Sequence, residues 1–172
     1  MIDYTSTSTL KKGTIGERYI KPWIEEQGFA VFTTDSKLPH DYDLLATNKQ
    51  FKFIGEVKTK CAREFYPDTG FDLVDFKHYQ TVSQEEGKYC FIFFADECNC
   101  NVYGQWLHLL EEPTMIEHNG KTLMYPKIET YPNGTEIIYF PLSSLKPITE
   151  IEEETCFELQ QLTKSNYHGK TH

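Results

Sequence analysis

The sequence predicts a mixed α/β core that carries a β-rich appendage, and three observations predict it. A chain of 172 residues has the usual size of one domain, so a single core is expected. Hydrophobic residues make up 39% of it and aromatics 15%, enough to bury that core and too much for wholesale disorder. The apolar periodicity, finally, runs in the order helix, three strands, helix, strand and then further strands.

The elements follow in turn. After a polar arm over residues 1–12, TIGERYIKPWIEEQG reads as a helix, with Thr14 or an earlier polar residue near its start, Gly28 as its stop and Pro22 as a kink. FAVFTT, DYDLLAT and FKFIGEVKTK read as strands, the last two forming a hairpin across an NKQ turn. FYPDTGFD, residues 65 to 72, reads as a loop. From Asp75 to Glu86, Phe76, Tyr79 and Val82 fall at helical spacing before Gly87, and YCFIFFADE then has the apolar run of a strand buried on both faces. Residues 1–97 form the core in this reading. An extension over 98–149 of the same domain supplies the strands VYGQWLHLL, TLMYPKIE and TEIIYFPL, with turns at His118-Asn119-Gly120 and Pro132-Asn133-Gly134. The segment 150–172 is acidic at Glu150 and Glu152 to Glu154, a solvated face or helix start. It continues as a short helix through Phe157, Leu159 and Leu162 and a tail.

No apolar stretch approaches the roughly 20 residues that span a bilayer, so no membrane partner is expected. Five cysteines cannot all pair within one chain and their spacing makes no framework, which suits a reducing, cytoplasmic setting. Cys98 and Cys100 alone lie close, a poor zinc signal without a second pair. A net charge of −9 argues against nucleic acid on its face. Its distribution softens this, because residues 1–80 are nearly balanced and residues 81–172 carry almost all of the excess.

Chemistry concentrates in the hairpin. An NKQ turn sets Asp43 opposite Ile54 and Asp41 opposite Glu56. Alternation then gives one face Tyr42, Leu44, Ala46, Phe51, Phe53 and Val57, and the other Asp41, Asp43, Leu45, Lys52, Ile54, Glu56 and Lys58. Charged groups converge on one side of two neighbouring strands. Along the first helix Glu17, Ile20 and Ile24 share a stripe, so a carboxylate lies on the face meant for the core. There it must be paired, bound to a metal, or lining a solvent-filled cleft, unless it reaches water at the stripe's edge.

Glu17 after Gly16, Asp43 in DYDLLA, and Glu56-Val57-Lys58 in GEVKTK together resemble the signature of the PD-(D/E)xK nuclease superfamily. Its αβββαβ restriction-endonuclease-like core, with a mixed central sheet, matches the element order over about residues 13–97, slightly over half the chain. In the family the motif Pro directly precedes the metal-binding Asp, whereas here His40, Asp41 and Tyr42 separate Pro39 from Asp43. Asp43 is favoured over Asp41 because Leu44-Leu45-Ala46 follow it as a buried strand should.

The resemblance implies a metal-dependent nuclease acting on DNA, with magnesium as cofactor and manganese able to substitute. Asp43, Glu56 and the carbonyl of Val57 would hold the ion, Lys58 would orient or help deprotonate the attacking water, and Glu17 would support a second metal or a metal-bound water. Lys60, Arg63, Lys52 and Gln80 are candidate nucleic-acid contacts, with Lys11, Lys12 and Arg18 extending a track and Lys77 beside Gln80 on the second helix. A homodimer would suit the cutting of two strands. His40 and His78 read more readily as structural hydrogen-bonding residues than as general bases. The rival expectation is a catalytically inactive module of the same fold that binds nucleic acid or a protein partner, which the acidity and the unmatched second half favour.

Overall fold

A computed structural model describes residues 8–34 and 40–167. In chain order it contains α1 (Ser8–Glu26), β1 (Ala30–Thr33), β2 (Leu44–Thr47), β3 (Lys52–Thr59), β4 (Asp68–Asp72), α2 (Leu73–Glu86) and β5 (Tyr89–Asp96). Then come β6 (Asn101–Trp106), the short α3 (Leu107–Leu110), β7 (Thr114–His118), β8 (Lys121–Tyr125), β9 (Lys127–Thr130), β10 (Glu136–Pro141), β11 (Lys146–Glu150) and α4 (Glu153–Tyr167). Pro39, most of the N-terminal arm and the tail beyond Tyr167 lie outside the described residues.

The main sheet has the order β1-β2-β3-β5-β6-β11. It is antiparallel except at its centre, where β3 and β5 run parallel and α2 lies in the connection between them. Alternation divides this sheet's side chains between two cores. Leu44, Ala46, Phe53, Val57, Phe91 and Phe93 pack with Ile20 and Ile24 of α1 and Leu159 of α4, while Ile54, Ile92 and Phe94 pack with Phe76, Tyr79 and Val82 of α2. The strand β5 is therefore apolar on both faces, as its sequence requires. No helix among the described residues is long and apolar enough to cross a membrane.

The hairpin register differs from expectation by two residues. Leu44 faces Gly55 and Leu45 faces Ile54, because Asn48 to Phe51 form the connection. The Asn48 side chain caps that turn by accepting the amides of Gln50 and Phe51. An even shift keeps every strand residue on its expected face, since side chains alternate with period two. Tyr42 is the exception: it precedes β2 and packs with the α2 core, opposite to its expected side.

The segment 65–72 is corrected more fully. Its second half is the strand β4, which pairs with β10, and β10 with β9, in a second three-stranded sheet. The run TLMYPKIE divides at the cis Tyr125–Pro126 peptide into β8 and β9, and β8 pairs with β7, a strand the sequence reading lacked. The extension is thus built into the core: β6 and β11 widen the main sheet, and β10 packs over α2.

The cysteine expectation is also corrected. Cys61 bonds Cys98 and Cys100 bonds Cys156, leaving Cys90 as the one free thiol, buried. Both bridges converge on the β5–β6 turn, where Glu97 is also buried. Lys12 of α1 reaches Glu97 Oε1 at 2.5 Å, and Gln160 of α4 donates to its backbone carbonyl at 3.0 Å.

Candidate active site

The site grows from the C-terminal half of β3 and what three other elements bring to it. Gly16 puts the backbone of α1 against β3, because a Cβ at that position would lie 2.3 Å from Thr59 Oγ1 and 3.1 Å from Val57 Cγ1. Only glycine allows this approach, and it carries the half-buried Glu17 within electrostatic reach of Glu56 and His40. Burial, which outweighs the attraction of His40, raises the Glu17 carboxyl, and repulsion from Glu56 adds to the rise.

Asp43 enters just before β2. It is 6% exposed, and its Oδ2 accepts the backbone N–H of Val57 at 2.8 Å. Burial first, and then repulsion from Glu56, push its carboxyl up to about 8. Asp41, two residues earlier, is exposed and pairs with His78 Nε2 at 3.5 Å, so of the two aspartates only Asp43 faces the cluster. His40 Nδ1 lies 3.9 Å from Asp43 Oδ1.

Glu56 and Lys58 project from alternate positions of β3 toward α2. Lys58 Nζ donates to Glu56 and Asp75 Oδ2, each at 2.9 Å, and to the Tyr79 hydroxyl at 2.8 Å. The same hydroxyl donates to Glu56 Oε1 at 2.5 Å. Burial alone would lower the Lys58 ammonium. Its carboxylate partners Glu56 and Asp75 outweigh that, so the group is held charged more firmly than an ordinary lysine. Asp75 and Tyr79 are functional neighbours that the sequence reading missed. Tyr79 sits at the apolar helical spacing of a core residue, and only the docking of α2 on β3 reveals that its hydroxyl reaches the charged pair.

Beside this network lies an open cavity of about 300 Å³ lined by Gly13, Val57, Lys58, Thr59, Lys60, Phe71, Asp72 and Asp75. Lys60 lines it with no hydrogen-bond or ion-pair partner among the described residues, and burial lowers its ammonium. The other candidate contacts stand elsewhere. Arg63 spends its guanidinium on Asp68, at 2.6 Å to each oxygen, and on Glu129 at 2.9 Å, and stacks 3.7 Å from the Tyr139 ring centroid. Gln80 donates to Glu111 and lines a different cavity. Lys52 is exposed at the opposite end of β3, on the order of 13 Å of strand from Glu56. Lys12 is taken by Glu97.

The donor set is that of a hard cation: carboxylate oxygens, two of them buried and mutually repelling, beside a backbone amide strand that can add a carbonyl. The oxygens of Asp43, Glu56 and Glu17 do not all fall within 4.8 Å of one another, Glu56 Oε1 being drawn to Lys58 and Tyr79. The cluster that does meet that spacing among the described residues, Cys61, Asp96 and Cys98, has its two sulfurs bonded together.

No protein-family model and no curated protein matches this sequence. Solved structures do. Hjc, a Holliday junction resolvase from the archaeal hyperthermophile Archaeoglobus fulgidus, superposes with a TM-score of 0.50 at 12% identity, over 77% of this chain and 90% of that one. D212, a nuclease from a fusselovirus, matches with a TM-score of 0.41 at 12% identity, over 89% of this chain and 91% of that one. The chain has a restriction-endonuclease-like fold.

Proposed function

We propose that the chain is a metal-dependent nuclease that hydrolyses phosphodiester bonds in DNA, its site made by Asp43, Glu56 and Lys58 with Glu17 in support. One observation carries the reading: two buried carboxylates, Asp43 and Glu56, share the site, and burial first and repulsion from Glu56 second push Asp43 up to about 8, an arrangement that costs stability unless a cation is to be held. The restriction-endonuclease-like fold, shared with a Holliday junction resolvase, supports the reading. Magnesium, or manganese in its place, would be held by Asp43, Glu56 and the carbonyl of Val57, with Glu17 joining through water. When bound, such an ion neutralises the phosphate oxygens and supplies a nucleophilic water at neutral pH.

The chain's own residues do the rest. Lys58, kept charged by Glu56 and Asp75, stabilises the negative charge that builds on the phosphoryl oxygens and orients the attacking water. Tyr79 and Lys58 grip one oxygen of Glu56 and leave the other for the ion. Lys60 lies where a phosphate entering the cavity would meet a cation with no partner of its own. Cutting both strands of a duplex would call for two copies of the chain.

The test is incubation of the purified protein with labelled single-stranded, duplex, flap and four-way DNA in magnesium or manganese, beside Glu56→Ala. Wild-type cleavage that Glu56→Ala lowers by about 1,000-fold or more is expected, since the change removes both a metal ligand and a partner of Lys58. Cleavage undiminished in Glu56→Ala would overturn the site. Calorimetry with calcium separates the inactive-module reading, which expects no divalent site dependent on Asp43 and Glu56.

A further inference from the structure

Lys58 on β3 and Lys60 just past its end line the same cavity, and they differ in what holds them. The backbone N–H of Lys60 donates to Ala95 O at 3.0 Å, which holds the residue against β5 at the end of β3. Lys58 is bound by Glu56, Asp75 and Tyr79. The Lys60 ammonium has no hydrogen-bond or ion-pair partner among the described residues, although the side chain is partly buried. The charged groups around it come from every side: Asp72 at the end of β4, Lys58 on β3, Arg63 in the loop beyond and Lys12 on α1, with Asp75 of α2 across the cavity.

Three cations thus act on this ammonium against the Asp72 carboxylate, Asp75 being already bonded to Lys58. Burial comes first and lowers its proton affinity; Asp72 opposes that, and the three cations, each weaker than Asp72, add to the lowering. A lysine that is only an electrostatic clamp is better tied, as Lys58 is. One that must release a proton is better left like this.

We propose that Lys60 is the general acid of the reaction, delivering a proton to the oxygen that leaves phosphorus. The inference rests on the nuclease reading. In the step, the water oxygen bonds to phosphorus and the bond from phosphorus to the leaving nucleoside oxygen breaks with its electron pair. That oxygen takes a proton from the Lys60 ammonium, which becomes a neutral amine. The attacking water releases its own proton to solvent, and from solvent Lys60 is recharged.

A leaving group that needs no proton tests this. Oligonucleotides carrying one bridging sulfur, at the 3′ or 5′ side of the bond the wild-type protein cuts, are compared with the all-oxygen DNA in manganese, because a thiolate departs unprotonated. Lys60→Ala and Lys60→Arg are assayed, with Lys60→Met standing in for any variant that a thermal melt shows unfolded. Arginine keeps the charge but cannot give up its proton. In single-turnover rates at saturating DNA, where a lost phosphate contact no longer counts, all should be slower than wild type by about 100-fold or more on oxygen DNA, and within about 5-fold of it on the bridging-sulfur DNA. Equal losses on the two substrates, recovery of oxygen cleavage by Lys60→Arg, or no loss at all would each overturn the role. A wild-type protein that cleaves neither substrate would overturn the nuclease reading itself, which keeps the two failures apart.

Discussion

Asp43 and Glu56 are buried like-charged groups, so the site works against the fold when no cation is present. Asp43 has its carboxyl pushed from an ordinary 3.8 up to about 8, by burial first and Glu56 second. A carboxyl whose folded value is raised holds its proton more tightly in the native chain than in the unfolded one. Metal-free stability is therefore greatest below the ordinary value and falls as pH rises toward about 8. Asp43→Asn removes that charge and keeps an oxygen for the Val57 amide. Melted without metal near pH 8, it should exceed the wild type by on the order of 5 °C, with the gap closing toward about pH 4 and nuclease activity lost. Identical melts at both pH values would refute the repulsion. The acidic and basic residues of this site were legible in the sequence because they obey two simple periods: alternation for Asp43, Glu56 and Lys58, and the i, i+3 step from Glu17 to Ile20. Asp75 and Tyr79 were not, since their roles depend on how a separate helix docks.

Among the elements, the hairpin shows why a reading can miss the register and keep the faces: its error was even. The strand β4 shows the opposite case. DTGFD has two aspartates and a glycine in five residues, and no local pattern announces a strand. It is one because β10 pairs with it so closely that a Cβ on Gly70 would lie 2.1 Å from Ile138 O, and because Arg63 locks its first residue. Asp68 is wholly buried, receives two bonds from Arg63, and accepts the Tyr125 hydroxyl at 2.6 Å. The sequence reading placed Arg63 with the nucleic-acid contacts, and nothing local in CAREF distinguishes a phosphate clamp from a carboxylate clamp. Its geometry ties together the loop after β3, β4, β9 and β10. Arg63→Ala strands a buried carboxylate and should cost about 3–5 kcal/mol in urea unfolding. A cost below about 1 kcal/mol would show that water reaches Asp68 and that the clamp is dispensable.

At the scale of the whole molecule, one covalent link joins the second half of the chain to the first and another closes the second half on itself, and composition concealed both. An odd count of cysteines with no compact spacing gave no framework to read, because the partners come together only when the β5–β6 turn meets the end of β3 and the start of α4. The Cys61–Cys98 bridge spans 37 residues and the Cys100–Cys156 bridge 56, in loops that follow one another without overlap. In the chain-entropy account each restricts the unfolded chain by about 4 kcal/mol. The second bridge ties α4 to the β5–β6 turn, and α4 packs in one core with α1, whose Gly16 meets β3, so its loss should loosen the support of the candidate site from the far side. Cys100→Ser with Cys156→Ser should therefore lower the melting temperature by on the order of 10 °C. The oxidised wild type should show one reactive thiol, Cys90, and only after denaturation, because burial encloses it and pushes its pKa up to about 12. Five thiols titrated in denaturant without reductant, or an unchanged melt in the double variant, would show that the bridges do not staple the folded chain.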